Sequence, residues 1–97
     1  MKKVISYART NQPDAGRIET QQQKIREYVS KIDGAEIVWE ISEYCSGSHI
    51  GEKLREISSE SFDTLIVTGY SRICRNSMEL YEFMQEFGHE IISLEGK

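Results

Sequence analysis

Proline is almost absent from this sequence, with Pro13 alone, and cysteine and histidine occur only twice each. A single proline gives no proline-rich linker, and no repeat or low-complexity tract interrupts the chain. Cys45 and Cys74 lack CxxC spacing and have no histidine in ligand register, which argues against a disulfide scaffold and a zinc site. Both are expected to be reduced thiols near strand ends, with no metal and no cofactor. Long apolar runs are also missing. Only a few apolar residues separate Met1-Lys-Lys from Arg9, too few for a signal-peptide core, and no stretch approaches a membrane span. The expected location is the cytoplasm, without a membrane partner. Positive charge is scarce: 12 Lys and Arg against 16 Asp and Glu give a net charge of -4. That excludes the global basic field behind non-specific nucleic-acid binding, so any such affinity must be local. The lone Trp39 and the tyrosines Tyr7, Tyr28, Tyr44, Tyr70 and Tyr81 are scattered, and form no stacking platform for single strands. At 97 residues the chain is one small domain spanning 1–97, too short to carry a separate DNA-reading domain.

What is present is an alternation of strand and helix signals. Val4–Ala8 reads as a strand, followed by a loop from Thr10 to Arg17 that holds Pro13 and Gly16. From Ile18 the period becomes helical, with Ile18, Ile25, Tyr28, Val29 and Ile32 on one stripe, over about fourteen residues to Asp33-Gly34, where glycine supplies a left-handed cap. Glu36–Ser42 is a second strand, running into the small-residue loop Glu43–His49. His49 is expected to be a loop residue. Glu52–Ser58 reads as a short helix anchored by Leu54 and Ile57. Leu65-Ile-Val67 is a buried third strand that ends at Gly69. A helix capped by Ser77 carries Leu80, Phe83, Met84 and Phe87 inward and stops at Gly88, and Glu90–Leu94 is the fourth strand. This order predicts a three-layer α/β fold of flavodoxin-like topology. A mostly parallel four-stranded sheet carries helices on both faces.

Open parallel sheets bind ligands in the crevice beyond the carboxyl ends of their strands. Arg9, the loop residues Ser46 and Gly47, and the pair Arg72 and Arg75 all follow strand ends. An isolated RxxR is more often two solvated or salt-bridged arginines than a site. Here a second cationic strand end, at Tyr7-Ala-Arg-Thr-Asn11, shifts the balance towards a phosphate site. Guanidinium forks match phosphate oxygens bidentately.

Six segments, Tyr7-Ala-Arg9, Ile18-Glu-Thr-Gln21, Tyr44-Cys-Ser-Gly47, Phe62-Asp-Thr-Leu-Ile-Val67, Ser71-Arg-Ile-Cys-Arg-Asn76 and Ile91-Ile-Ser-Leu94, in this order resemble the catalytic domain of serine site-specific recombinases. This is the resolvase/invertase family, and the spacing is nearest its large phage- and transposon-type members. The resemblance implies DNA cleavage by a serine hydroxyl through a covalent phosphoserine, without ATP or metal, while arginines steady the charge on the phosphoryl oxygens. It places Arg9, Gln21, Arg72 and Arg75 on family catalytic positions, and it places the nucleophile on Asn11. An amide cannot form a phosphoester, so Asn11 cannot perform the family's first step. Thr10, one residue away, points to the opposite face if the strand persists. Ser71 replaces an acidic residue, Glu43 a shorter aspartate, and Gly51-Glu-Lys53 an Asp-Arg-Pro segment. Lys53 supplies at best a point charge in place of a fork. The family's long dimerisation helix and DNA-binding domain have no counterpart in 1–97.

Three readings follow from these residues. The first is a recombinase-type domain of DNA recombination and integration that is defective in cleavage. It would bind DNA weakly by itself and act through a full-length recombinase or a homo-oligomer, docking by Ser77–Phe87 or the edge after Leu94. The second is an active strand-exchange enzyme working through Thr10 or as part of a larger chain. The third is a nucleotide-, phosphate- or protein-binding α/β module unconnected with DNA.

Overall fold

Successive residues of the first strand face opposite sides of a sheet, and this alternation gives the molecule two cores. The computed structural model of the chain describes residues 2–10, 15–44, 50–57 and 61–95. Its elements run β1 (Lys2–Thr10), α1 (Ala15–Ser30), β2 (Ala35–Tyr44), α2 (Glu52–Ile57), β3 (Thr64–Val67), a 3-10 turn (Tyr70–Arg72), α3 (Ser77–Phe87) and β4 (Glu90–Ser93). The strands form one sheet in the order β2-β1-β3-β4, and every pairing is parallel.

Val4 and Ile66 pack against Ile25 and Val29 of α1 on one face. Ile5, Tyr7, Leu65 and Val67 pack on the other face against Leu54 and Ile57 of α2 and Phe83 and Phe87 of α3. The predicted three-layer architecture is therefore the observed one. Burying one such aliphatic side chain contributes about 1.5–3 kcal/mol, a sizeable part of a small domain's net stability.

Several boundaries differ from the sequence reading. β1 runs on to Thr10, so Thr10 belongs to the strand and not to the loop after it. Helix α1 begins at Ala15, before Ile18, and ends at Ser30. Ile32 therefore leaves the predicted stripe and is 36% exposed. Gly34, at φ 79°, does adopt the left-handed conformation expected of it. Asn76, not Ser77, caps α3, its side chain accepting from the Met78 and Glu79 amides. Met84 lies on the rim of α3 at 37% exposure, whereas Phe83 and Phe87 are buried. Gly88, at φ 76°, ends the helix.

Both β2 and β3 lie beside β1. The chain leaves β1 towards β2 on one side and returns to β3 on the other. Connections that diverge in this way open a crevice above the carboxyl ends of β1 and β3.

Candidate phosphate-binding site

Arg9 occupies the next-to-last position of β1, and Arg72 ends the turn that follows β3, so each flanks the crevice. Period-two alternation sends the Arg9 side chain to the face of Ile5 and Tyr7. There it is 3% exposed. Its Nη1 donates to the carbonyl of Arg72 at 3.2 Å and also to the carbonyl of Ile73. Arg72 reaches back, with Nη1 3.5 Å from the Arg9 carbonyl. The two arginines are thus interlocked, one buried and the other half-buried. Arg75 is exposed at the approach to α3.

Gln21 lies on the inner face of α1, between Ile18 and Ile25, and is 4% exposed. Its Oε1 accepts from the Arg9 amide at 3.0 Å, and its Nε2 donates to the Arg9 carbonyl at 2.9 Å. The pairing of β1 with β3 ends at Ser6 and Ile66. Beyond that point a side-chain amide does for Arg9 what a neighbouring strand would have done. The signal for it was a glutamine among the isoleucines of a buried stripe.

A second cluster supports the crevice from the side of β2. Glu43 Oε1 accepts from Tyr7 Oη at 3.0 Å and from the Leu54 amide at 3.2 Å. It thereby serves one of the unpartnered N–H groups with which any helix begins, here those of α2. Lys53, the proposed substitute for a lost arginine, donates from Nζ to the Ser42 carbonyl at 3.1 Å. It lines a cleft of about 210 Å³ with Trp39, Ile41 and Glu56. Sequence reasoning missed the capping role of Glu43, because nothing local to residue 43 shows that a helix start will fold beneath it.

Thr10 continues the strand, paired with Tyr44, and is 3% exposed. Alternation turns it away from the face that Arg9 occupies. Asn11, Cys45, Ser46, Gly47 and His49 lie outside the described residues. Cys74 is buried, and its Sγ lies 3.7 Å from Glu79 Oε2. Among the described residues no group of His, Cys, Asp and Glu is arranged to hold a metal ion. Nor, among them, is any helix long and apolar enough to cross a membrane.

Charge pairs elsewhere stand apart from the crevice. Arg26 grips Glu40 through Nε at 2.7 Å and Nη2 at 2.8 Å, across α1 and β2. That hydrogen-bonded fork holds the Glu40 carboxyl below the ordinary carboxylate range, against the opposing effect of burial. Glu90 is depressed likewise, by hydrogen bonds from Lys2 and then Thr64.

The sequence matches the family described as Resolvase, N terminal domain, over residues 4–96. No curated protein sequence matches. Among solved structures, the catalytic domain of ISC1926 TnpA, an IS607-like serine recombinase, superposes with a TM-score of 0.78 at 20% identity, covering 98% of this chain and 71% of that one. The N-terminal catalytic domain of TP901-1 integrase gives 0.79 at 20% identity, over 96% of this chain and 78% of that one. A serine recombinase from Sulfolobus solfataricus gives 0.62 at 23% identity, over 100% of this chain and 71% of that one. At these identities the likeness is one of fold.

Proposed function

Because the chain belongs to the resolvase N-terminal domain family, we propose that it is a serine-recombinase-type domain of DNA recombination that does not itself cleave strands. The observation that carries this reading is Asn11, one residue beyond the end of β1, where the family resemblance puts the nucleophilic serine. Thr10 does not replace it, since its side chain is buried on the face opposite Arg9. The cationic crevice remains as a phosphate site. Arg72 and Arg75 supply the forks that meet phosphate oxygens. The domain works in the cytoplasm, binds DNA weakly, and exerts its role through association with a recombinase or with further copies of itself.

The test is incubation with supercoiled DNA followed by denaturing electrophoresis. No covalent protein–DNA adduct is expected. An adduct that maps to Thr10 would establish an active enzyme instead. A parallel titration with inorganic phosphate, followed by NMR, should perturb Arg72 and Arg75 first. Perturbation confined elsewhere would remove the phosphate reading.

A further inference from the structure

Trp39 is aligned with Ile5 across the β1–β2 pair, yet it belongs to neither core and is 50% exposed. A single exposed apolar side chain needs no explanation. This ring, however, forms one wall of the cleft of about 210 Å³ between β2 and α2, whose other apolar walls are the buried Ile41 and Ile57. Ser42, Lys53 and Glu56 complete it with polar groups. Glu40 reaches it too, but that carboxylate is held by Arg26. The surrounding charge is mostly negative. Strand β2 carries Glu36, Glu40 and Glu43 with no basic residue, and α2 carries Glu52 and Glu56 beside Lys53 and Arg55. Five glutamates thus stand against two basic residues on these elements, and against three when Arg26 is included.

We propose that this cleft takes one arginine side chain from a protein partner, with the guanidinium plane stacked on Trp39, the stem against Ile41 and Ile57, and the charge beside Glu56. Small-molecule sites usually enclose about 300–1,000 Å³, whereas a cleft of about 210 Å³ suits a single side chain. A guanidinium is weakly hydrated, stacks on aromatic faces and arrives on an apolar stem, so it matches an aromatic wall, an apolar floor and a carboxylate at once. Lys53 keeps its ammonium on the Ser42 carbonyl at 3.1 Å, and its like charge is offset by Glu56. The excess of carboxylates repels phosphates, which disfavours nucleic acid on this face. Strand addition is disfavoured as well, because the β2 edge is irregular where its register with β1 shifts. The cleft shares no residue with the arginine crevice and holds whether or not that crevice takes phosphate.

The experiment uses the 97-residue chain, in which Trp39 is the single tryptophan, so that its emission reports on the cleft directly. The probes are short peptides with blocked ends built on arginine, on lysine, or on citrulline, which has the shape of arginine without the charge. The arginine peptide should change Trp39 emission in a saturable way and bind more tightly than the lysine peptide, and the citrulline peptide should have little effect. Anisotropy of a dye-labelled arginine peptide then measures the variants. Trp39→Leu should weaken binding by about threefold to tenfold, as expected for loss of a cation–π contact. Glu56→Gln should weaken it, whereas Lys53→Gln, which keeps a donor for Ser42 and removes the like charge, should strengthen it.

Should Trp39→Leu fail to fold, the three peptides on the unaltered protein and the exposed-site variant Glu56→Gln still decide the matter. An arginine peptide that leaves Trp39 emission unchanged would overturn the proposal. A citrulline peptide that binds as well as arginine would make the cleft an uncharged one, and a lysine peptide that does so would reduce the effect to general charge attraction. Either result overturns the assignment, as would equal affinity of the arginine peptide for the unaltered, Trp39→Leu and Glu56→Gln proteins. An oligonucleotide that changes Trp39 emission where the arginine peptide does not would give this face to nucleic acid instead.

Discussion

The carboxylate of Glu43 lies over the Cα of Gly51, and the two residues together open helix α2. A Cβ at position 51 would place the Glu43 carboxyl carbon only 2.7 Å away. Gly51→Ala should therefore lower stability by about 1–3 kcal/mol, the usual cost of overpacking. Glu43→Ala should cost about 1 kcal/mol through the lost cap on Leu54. The double substitution should cost less than the sum, since removing the carboxylate makes room for the methyl group. Urea denaturation of the four proteins checks all three statements.

The Arg26–Glu40 pair should make stability depend on acidity. A carboxyl held below its ordinary value in the folded chain favours folding fully above the unfolded value near 4.5. That contribution is lost as the pH falls through the lower folded value. Glu40→Gln should thus lower the urea midpoint at neutral pH, and the gap from the unaltered protein should close under acid. Both partners are partly exposed, so added salt should narrow the gap as well.

Asn76 offers a sharper test of local structure. Its Oδ1 accepts from the Met78 amide at 3.1 Å and the Glu79 amide at 3.2 Å. Asn76→Ala should cost about 1 kcal/mol, and Asn76→Asp should retain most of that stability. Ser77→Ala should cost little by comparison, because residue 77 is already inside the helix.

Restoring an alcohol with Asn11→Ser should not restore cleavage. On the proposed reading, Ser71 and the Gly51-Glu-Lys53 segment would leave the charge on a cleaving phosphate under-stabilised, and the loss of one such donor typically costs about 10²–10³ in rate. Robust nicking of supercoiled DNA by this single variant would show that the departures matter less than argued. Arg72→Ala should weaken phosphate binding while leaving the melting temperature nearly unchanged.

Duplex DNA should bind the isolated chain only in the non-specific range, roughly 10⁻⁴–10⁻⁶ M at physiological salt. The net charge of -4 gives no field to draw the polyanion in. Fluorescence anisotropy with labelled duplexes measures this directly, and nanomolar, sequence-dependent affinity would contradict it.

The sheet and its layers were legible because each apolar run had a period and an end: Leu65-Ile-Val67 at Gly69, and the Phe83–Phe87 stripe at Gly88. Boundaries read less well wherever two residues compete for one role. Asn76 and Ser77 are both good caps, and only the fold shows which side chain reaches the amides. Ile32 continued a helical stripe on paper, yet the backbone turns at Ser30 and carries it outward. At the site, sequence placed Arg9 at a strand end and on one face, but its depth depends on what the crevice wall needs. That wall is a turn more than sixty positions further along the chain, as the separations of the Arg9 bonds to Arg72 and Ile73 show. Gln21 was legible as a position and not as a role, because its partner is backbone, which every residue shares.

Strand β2 is ten residues long and forms one outer edge of the sheet, the kind of border along which chains stack into fibrils. Its alignment with β1 skips a residue, Val4 facing Ile37 and Ile5 facing Trp39. Val38 is left over and stands out at 47% exposure. An extra residue of this kind bends the border and interrupts the spacing of its outward-facing amides and carbonyls. A straight incoming strand meets donors in register along only part of the length, and the exposed Glu36 sets a charge on that border. The irregularity thus protects the protein at high concentration, and a version with Val38 deleted should be the one that clouds on storage.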